Sequence, residues 1–163
     1  MNKDNKKLLQ RLYIQHVKQK HPNFPENAIP NEKFSDSSAN ELTKVICKFI
    51  TYIGGQAERI SNQGQYRDNR VTYTDVVGFK RTIGSGTWTK GQGTNGTADI
   101  SAIYRGISFK IEVKFGKDRM SEAQKQYKES VERAGAVYII ARDFDSFINE
   151  FRDICKTRLN ITK

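Results

Sequence analysis

Three residues in the stretch GTADISAIYRGISFKIEVKFGK, residues 96–117, could do chemistry together: Asp99 on one arm of a predicted hairpin, and Glu112 and Lys114 on the other. With Arg105-Gly106 as a two-residue turn, Tyr104 faces Ile107, Ala102 faces Phe109, Ile100 faces Ile111 and Ala98 faces Val113, an apolar face fit for a core. The opposite face pairs Ile103 with Ser108, Ser101 with Lys110 and Asp99 with Glu112, and Lys114 points the same way. Strand geometry gathers the two carboxylates and the ammonium within about 5–8 Å. A solvated polar face would explain the alternation, with Lys110 and Lys114 pairing the acids for about 0–1 kcal/mol each. It does not explain two acids directly opposite one another, where like charges destabilise. A divalent cation resolves the conflict. Mg²⁺ takes one or two carboxylates, accepts phosphate oxygens as further ligands and lowers the pKa of a bound water. Lys114 would then orient or deprotonate that water, or hold a phosphate by charge.

The elements that must position these groups can be read on either side. Leu8, Leu9, Leu12, Tyr13 and Val17 recur at helical spacing over residues 5–19, with Lys and Arg between them, and Pro22, Pro25 and Pro30 enforce an extended connection to about Ser37. We therefore expect a basic N-terminal helix and Pro-containing linker over 1–36, ahead of a domain over 37–163. That helix could serve as a nucleic-acid arm, a dimerisation element or a helix packed on the core. From Ser38, the stripe Leu42, Val45, Ile46, Phe49, Ile50 and Ile53 predicts a helix ended by Gly54-Gly55, with QAERIS (56–61) as a following strand. Residues 62–97 are polar, aromatic and Gly-rich, with strands expected around Val71–Val77 and Lys80–Ile83. After the hairpin come a helix from Ser121 to Ala134, a buried strand AVYIIA (136–141) and a last helix capped by Asp143 or Asp145. The order predicts a mixed α/β fold.

Composition narrows the partner. The 163 residues carry 28 Lys and Arg against 18 Asp and Glu, a net +10 that calls for a polyanion, most commonly nucleic acid. No apolar run approaches the roughly 18 residues of a membrane span, and the N-terminus lacks a signal-peptide core, so no membrane partner is expected. Cys47 and Cys155 are far apart in helix-like stretches, which fits buried thiols in a reducing, intracellular compartment; with only His16 and His21 beside them, structural zinc is not expected. GQGTNG (91–96) matches the dinucleotide pattern but precedes a strand instead of opening a helix, so it reads as a loop. The sequons at Asn95 and Asn160 read as chance.

Asp99, twelve intervening residues and then Glu112-Val113-Lys114 resemble the D…(E)xK core of the PD-(D/E)xK nuclease superfamily. Glu41, Gly54-Gly55, ERISNQG (58–64), GTADI (96–100), IEVKFG (111–116), SEAQ (121–124) and AGAVYIIA (134–141) extend the resemblance to the virus-type replication-repair nuclease (VRR-NUC) family and archaeal-type Holliday junction resolvases, over roughly residues 38–142. The resemblance implies a restriction-endonuclease-like α/β fold, a mixed central sheet flanked by helices. It implies a Mg²⁺- or Mn²⁺-dependent endodeoxyribonuclease acting on branched DNA as a homodimer, in the cytoplasm or nucleoid of a bacterial or phage-infected cell. Asp99 and Glu112 match the metal-binding acids, Lys114 the catalytic lysine, the Val113 carbonyl a further metal ligand, and Glu41 a helical glutamate that reaches the metal. Gln124 matches a glutamine that the family places beside the active site or the DNA backbone. Glu41 and Gln124 each also sit at the third position of a Ser-x-x-Glu/Gln capping box, which offers a local role instead. Ala98 stands where the family usually has proline. Lys80, Arg81, Lys90, Lys117 and Arg119 are candidate phosphate contacts. A flap or restriction-type nuclease, or a non-catalytic nucleic-acid-binding protein on the same fold, is the alternative.

Overall fold

The computed structural model describes residues 1–61, 64–89, 91 and 93–159. In chain order the elements are α1 (Lys3–Lys20), α2 (Ala39–Tyr52), β1 (Gln56–Arg59), β2 (Gln65–Asp68), β3 (Val71–Thr74), β4 (Lys80–Ile83), β5 (Gly86–Thr89), β6 (Ile100–Tyr104), β7 (Ile107–Val113), α3 (Glu122–Arg133), β8 (Val137–Ala141) and α4 (Phe144–Arg158). The chain divides into two compact units, 61–94 and the flanking segments 1–60 with 95–163.

The larger unit is mixed α/β around a four-stranded sheet in the order β1-β6-β7-β8. β1, β6 and β7 are antiparallel neighbours, whereas β7 and β8 run parallel. A parallel pair needs a crossover, and α3 supplies it. The β6–β7 register is the one the sequence predicts, with Ile100 opposite Ile111, Ala102 opposite Phe109 and Tyr104 opposite Ile107. Arg105 and Gly106 turn it at φ 47° and 80°. Two consecutive positive φ values give a turn whose twist matches that of the strands it joins.

One face of the sheet makes the core. Ile100, Ala102, Phe109, Ile111, Ile139 and Ala141 are fully buried with Leu42, Ile46 and Ile50 of α2 and Phe144, Phe147 and Ile148 of α4. Phe49 stands edge-on to Phe144, Phe147 and Phe151, with ring centroids 5.6–6.2 Å apart. Such pairs add about 0.5–1.5 kcal/mol each beyond the area they bury. Of the roles open to α1, the structure shows packing on the core: Leu9 is fully buried, and Leu8, Leu12 and Tyr13 lie against the same cluster. The Pro-containing connection is seated as well, through buried Ile29 and Phe34. Glu32 takes an ion pair from Lys48 and a 2.7 Å hydrogen bond from the Tyr52 hydroxyl.

Helix boundaries follow their caps. Ser38 accepts from the Glu41 amide, Ser121 from Gln124 and Asp143 from Ser146. Asp143, not Asp145, therefore caps α4; Asp145 accepts instead from the Asn2 amide and the Asn5 side chain.

The smaller unit is a two-stranded ribbon. β2 pairs with β5 and β3 with β4, all antiparallel, so the same two segments pair twice around a break at Asn69-Arg70 opposite Gly84-Ser85. The two strands expected here correspond to β3 and β4, with β3 ending at Thr74; β2 and β5 were not expected. The described part of 91–96 contains neither helix nor strand, as a loop requires, while the Asn160 sequon lies outside the described residues.

Candidate active site

The β6–β7 ladder ends at Ile100–Ile111, one step before the predicted Asp99–Glu112 pair. Asp99 lies in a bend just ahead of β6, and its carboxylate turns across to accept the Val113 N–H at 2.9 Å. Its own carbonyl accepts from Ile60 N–H at 2.8 Å, which ties it to the β1 side of the sheet. Gly96 makes the approach possible. It has φ +79°, and a Cβ there would stand 2.3 Å from the Ala123 carbonyl oxygen, so the loop before Asp99 lies directly on the first turn of α3.

The face predicted to be polar is covered at its Glu112–Lys114 end and open toward the turn, where Ile103 is exposed. Glu112 is 2 % exposed and Lys114 4 %. Lys114 Nζ stands 3.1 Å from Glu112 Oε1 and 3.3 Å from Asp118 Oδ2, while its backbone N–H donates to the Ala141 carbonyl and extends the β7–β8 pairing. Taking two charges out of water costs several kcal/mol per ion, repaid only by close partners. Gln124 is one of them: Nε2 donates to Glu112 Oε1 at 2.5 Å. Its Oε1 simultaneously accepts the Ser121 N–H at 2.9 Å and closes a capping box on α3. Gln124 closes the capping box and bonds Glu112 at once, because an amide has an oxygen for the helix and a nitrogen for the acid.

Two buried polar atoms here, Glu112 Oε2 and the Tyr138 hydroxyl, fall outside full hydrogen-bond geometry, although Tyr138 stands close enough to Glu112 for the carboxylate to bear on its phenol. Burial, then the negative charge of Asp99, pushes the Glu112 carboxyl above the usual range, and Lys114 only partly opposes this. Burial and the charges of Glu112 and Asp99 likewise push the Tyr138 phenol up. The site is thus short of positive charge at Glu112, whose carboxyl feels burial and the charge of Asp99 more than Lys114 offsets them.

That deficit is the test of whether a divalent cation fits. Among the described residues no group of three His, Cys, Asp or Glu side chains stands close enough to hold a metal. Mg²⁺ needs only one or two carboxylates and completes its shell with water and phosphate. Asp99 and Glu112, one of whose oxygens falls outside full hydrogen-bond geometry, meet that requirement, and Val113 lies between Glu112 and Lys114 at the same strand end. Glu41 does not join them in a three-ligand group. Its carboxylate accepts from the Ser35 hydroxyl at 2.9 Å and from the Ser37 hydroxyl, which hold it below the usual carboxylate range, and it does not return to cap Ser38.

Lys117 and Arg119 are exposed in the loop between Lys114 and α3. Lys80 and Arg81 lie in the 61–94 unit, and Lys90 lies outside the described residues. Sequence reasoning missed Asp118, whose signal was its position four residues after Lys114, and Tyr138, which sits in an apolar strand and looks like core. It also missed Arg142, whose guanidinium reaches the Asp118 carbonyl at 3.4 Å.

The fold and site define a mixed α/β protein with a buried acid–lysine cluster at the end of its sheet. No protein-family model matches the chain, and no curated protein is significantly similar to it. Among the described residues no helix is long and apolar enough to cross a membrane.

Proposed function

We propose that this protein is a divalent-metal-dependent nuclease that hydrolyses DNA phosphodiesters at Asp99, Glu112 and Lys114, on a PD-(D/E)xK-type domain. One observation carries the reading: a fully buried Glu112 with one oxygen outside full hydrogen-bond geometry, beside a second carboxylate and a buried lysine. A structural ion pair would be more stable without Asp99 nearby and with both Glu112 oxygens bonded. Asp99 and Glu112 would hold Mg²⁺ or Mn²⁺, which supplies a water of lowered pKa and offsets charge on the phosphodiester.

The chain's own groups do the rest. The Val113 N–H fixes the Asp99 carboxylate, and Gln124 and Lys114 fix Glu112, so both acids are oriented before substrate arrives. Lys114, held by Asp118 on its other side, presents an N–H to the attacking water or to a phosphate oxygen. Water adds to phosphorus as the bond to the leaving oxygen breaks. Asp99, only half-buried, is the member open to solvent and hence to the backbone of a nucleic acid.

Branched DNA cut by a homodimer is the substrate class proposed, on the resemblance to junction resolvases and the net charge of +10. A cleavage assay across four-way junction, flap, duplex and single strand, with Mg²⁺ and with EDTA, tests both levels. Cleavage in EDTA equal to that in Mg²⁺ would sink the metal mechanism. Equal rates on junction and duplex by a monomer would leave a nuclease but remove the resolvase.

A further inference from the structure

The 61–94 ribbon inverts the usual placement of apolar residues. None of its described residues belongs to the buried core, and β2, β3 and β4 are exposed at every position. Its tip, Asp75-Val76-Val77-Gly78-Phe79, leaves Val76 fully exposed, Val77 at 73 % and Phe79 at 66 %. An exposed apolar loop without structure would be unremarkable, but this one is built. Asp75 accepts the Val77 N–H at 3.0 Å, the Phe79 N–H at 2.9 Å and the Arg81 Nε–H at 2.6 Å. Its backbone closes the loop through Asp75 N–H to the Phe79 carbonyl at 2.8 Å and Gly78 N–H to the Asp75 carbonyl at 2.9 Å. A single carboxylate thus fixes the backbone that carries three apolar side chains in water, so that part of the ordering cost is met before anything binds.

We infer that this ribbon is a DNA arm whose apolar tip, Val76, Val77 and Phe79, inserts between unstacked bases while the adjoining cations hold the backbone; the inference rests on the nuclease reading for its choice of DNA. Charge selects the occupant. Arg67, Arg70, Lys80 and Arg81 stand on the ribbon against Asp68 and Asp75 alone, a net +2 even with Arg70 paired to Asp68 and Arg81 to Asp75, and Lys80 and Arg81 immediately follow the tip. A basic β-ribbon suits a groove, and apolar side chains enter base steps where stacking is already weak. A branch point offers such steps without the few kcal/mol that opening a continuous duplex costs. Further down the ribbon, Tyr66 and Trp88 sit directly opposite each other, 56 % and 67 % exposed. The Tyr66 ring lies over Gly86, where a Cβ would meet its hydroxyl at 1.7 Å, so a flat aromatic surface extends the face available to bases.

The test needs neither metal nor cleavage. Full-length protein is titrated in EDTA onto a four-way junction carrying 2-aminopurine at the branch, and onto a linear duplex with the same label mid-strand. The parent is expected to raise fluorescence at the branch. The triple variant Val76→Ser, Val77→Ser, Phe79→Ser is expected to lose that rise and to bind the junction about tenfold more weakly, with an unchanged melting curve because no buried contact is removed. An undiminished rise from the triple variant overturns the inference. So does a triple variant that, without DNA, sediments as a smaller species than the parent, because the tip would then be a contact between copies. A parent that gives the rise yet cuts no DNA in Mg²⁺ rejects the nuclease and keeps the arm.

Discussion

The two units of this chain break the same rule in opposite senses. The sheet unit buries charge, Glu112 and Lys114, where apolar side chains would pack more cheaply. The ribbon exposes Val76, Val77 and Phe79 where polar residues would cost nothing. Each departure is held in place by dedicated hydrogen bonds, from Gln124 to Glu112 and from Lys114 to Asp118 in one unit and to Asp75 in the other. Surface area alone would remove both features. What separates functional placement from accident is the supporting bonding.

The largest effect expected is on catalysis. Asp99→Asn or Glu112→Gln is expected to cut Mg²⁺-dependent cleavage by at least about 10²-fold, as loss of a group aimed at developing charge does. Glu41→Gln is expected to fall well short of that, since Ser35 and Ser37 already occupy its carboxylate. A Glu41→Gln loss equal to that of Asp99→Asn would move Glu41 into the metal set.

The buried pair comes next. Lys114→Ala strands the Glu112 charge and is expected to cost about 3–5 kcal/mol in urea unfolding. Adding Glu112→Gln to it should restore most of that stability. Non-recovery in this double-mutant cycle would mean that packing, not charge, governs the sheet's end.

A smaller effect is expected from pH and metal. Glu112 sits above its ordinary value of 4.5, held there by burial and Asp99. A carboxyl raised in the folded state contributes its stabilisation fully below that value and loses it as pH rises through the folded pKa, because the folded chain then holds the extra proton. The melting temperature of the parent relative to Glu112→Gln is therefore expected to fall as pH rises above 4.5. Mg²⁺ or Ca²⁺ is expected to raise the parent's melting temperature, most at the upper end of that window. A pH-independent difference, or no metal response, would contradict the charge deficit at Glu112.

The smallest effect concerns the ribbon. Replacing residues 65–89 by a short Gly-Ser linker is expected to leave unfolding of the larger unit within about 0.5 kcal/mol of the parent, as surface changes do. A large loss would show that the ribbon supports the fold.

What could be read in advance followed the strength of local signals. The β6–β7 register was legible because Arg105-Gly106 fixes the turn and strict alternation fixes the faces. Burial of Glu112 and Lys114 was not, since alternation says which side chains share a face and not whether a helix crosses it. The sequence left Gln124 between two roles because one side chain reaches both the cap and Glu112. β2 and β5 escaped because QYRD and GTWT carry charge or glycine where VTYT of β3 has an unbroken β-branched and aromatic run, and exposure leaves no apolar period to compensate. The seating of α1 was undecided because a stripe such as Leu8, Leu9 and Leu12 suits any apolar surface, and only the fold identifies which one.

The shared duty of Gln124 links the start of a helix to the protonation of an acid. Its oxygen holds the Ser121 N–H while its nitrogen holds Glu112, so a change in the charge on Glu112 alters the pull on the same amide group. The first turn of α3 should therefore open more often when Glu112 loses its charge, and less often when that charge is anchored by an ion. Deuterium uptake at Ser121 and Gln124, followed against pH and added Mg²⁺, would then report occupancy of the site from a helix end, without any substrate being present.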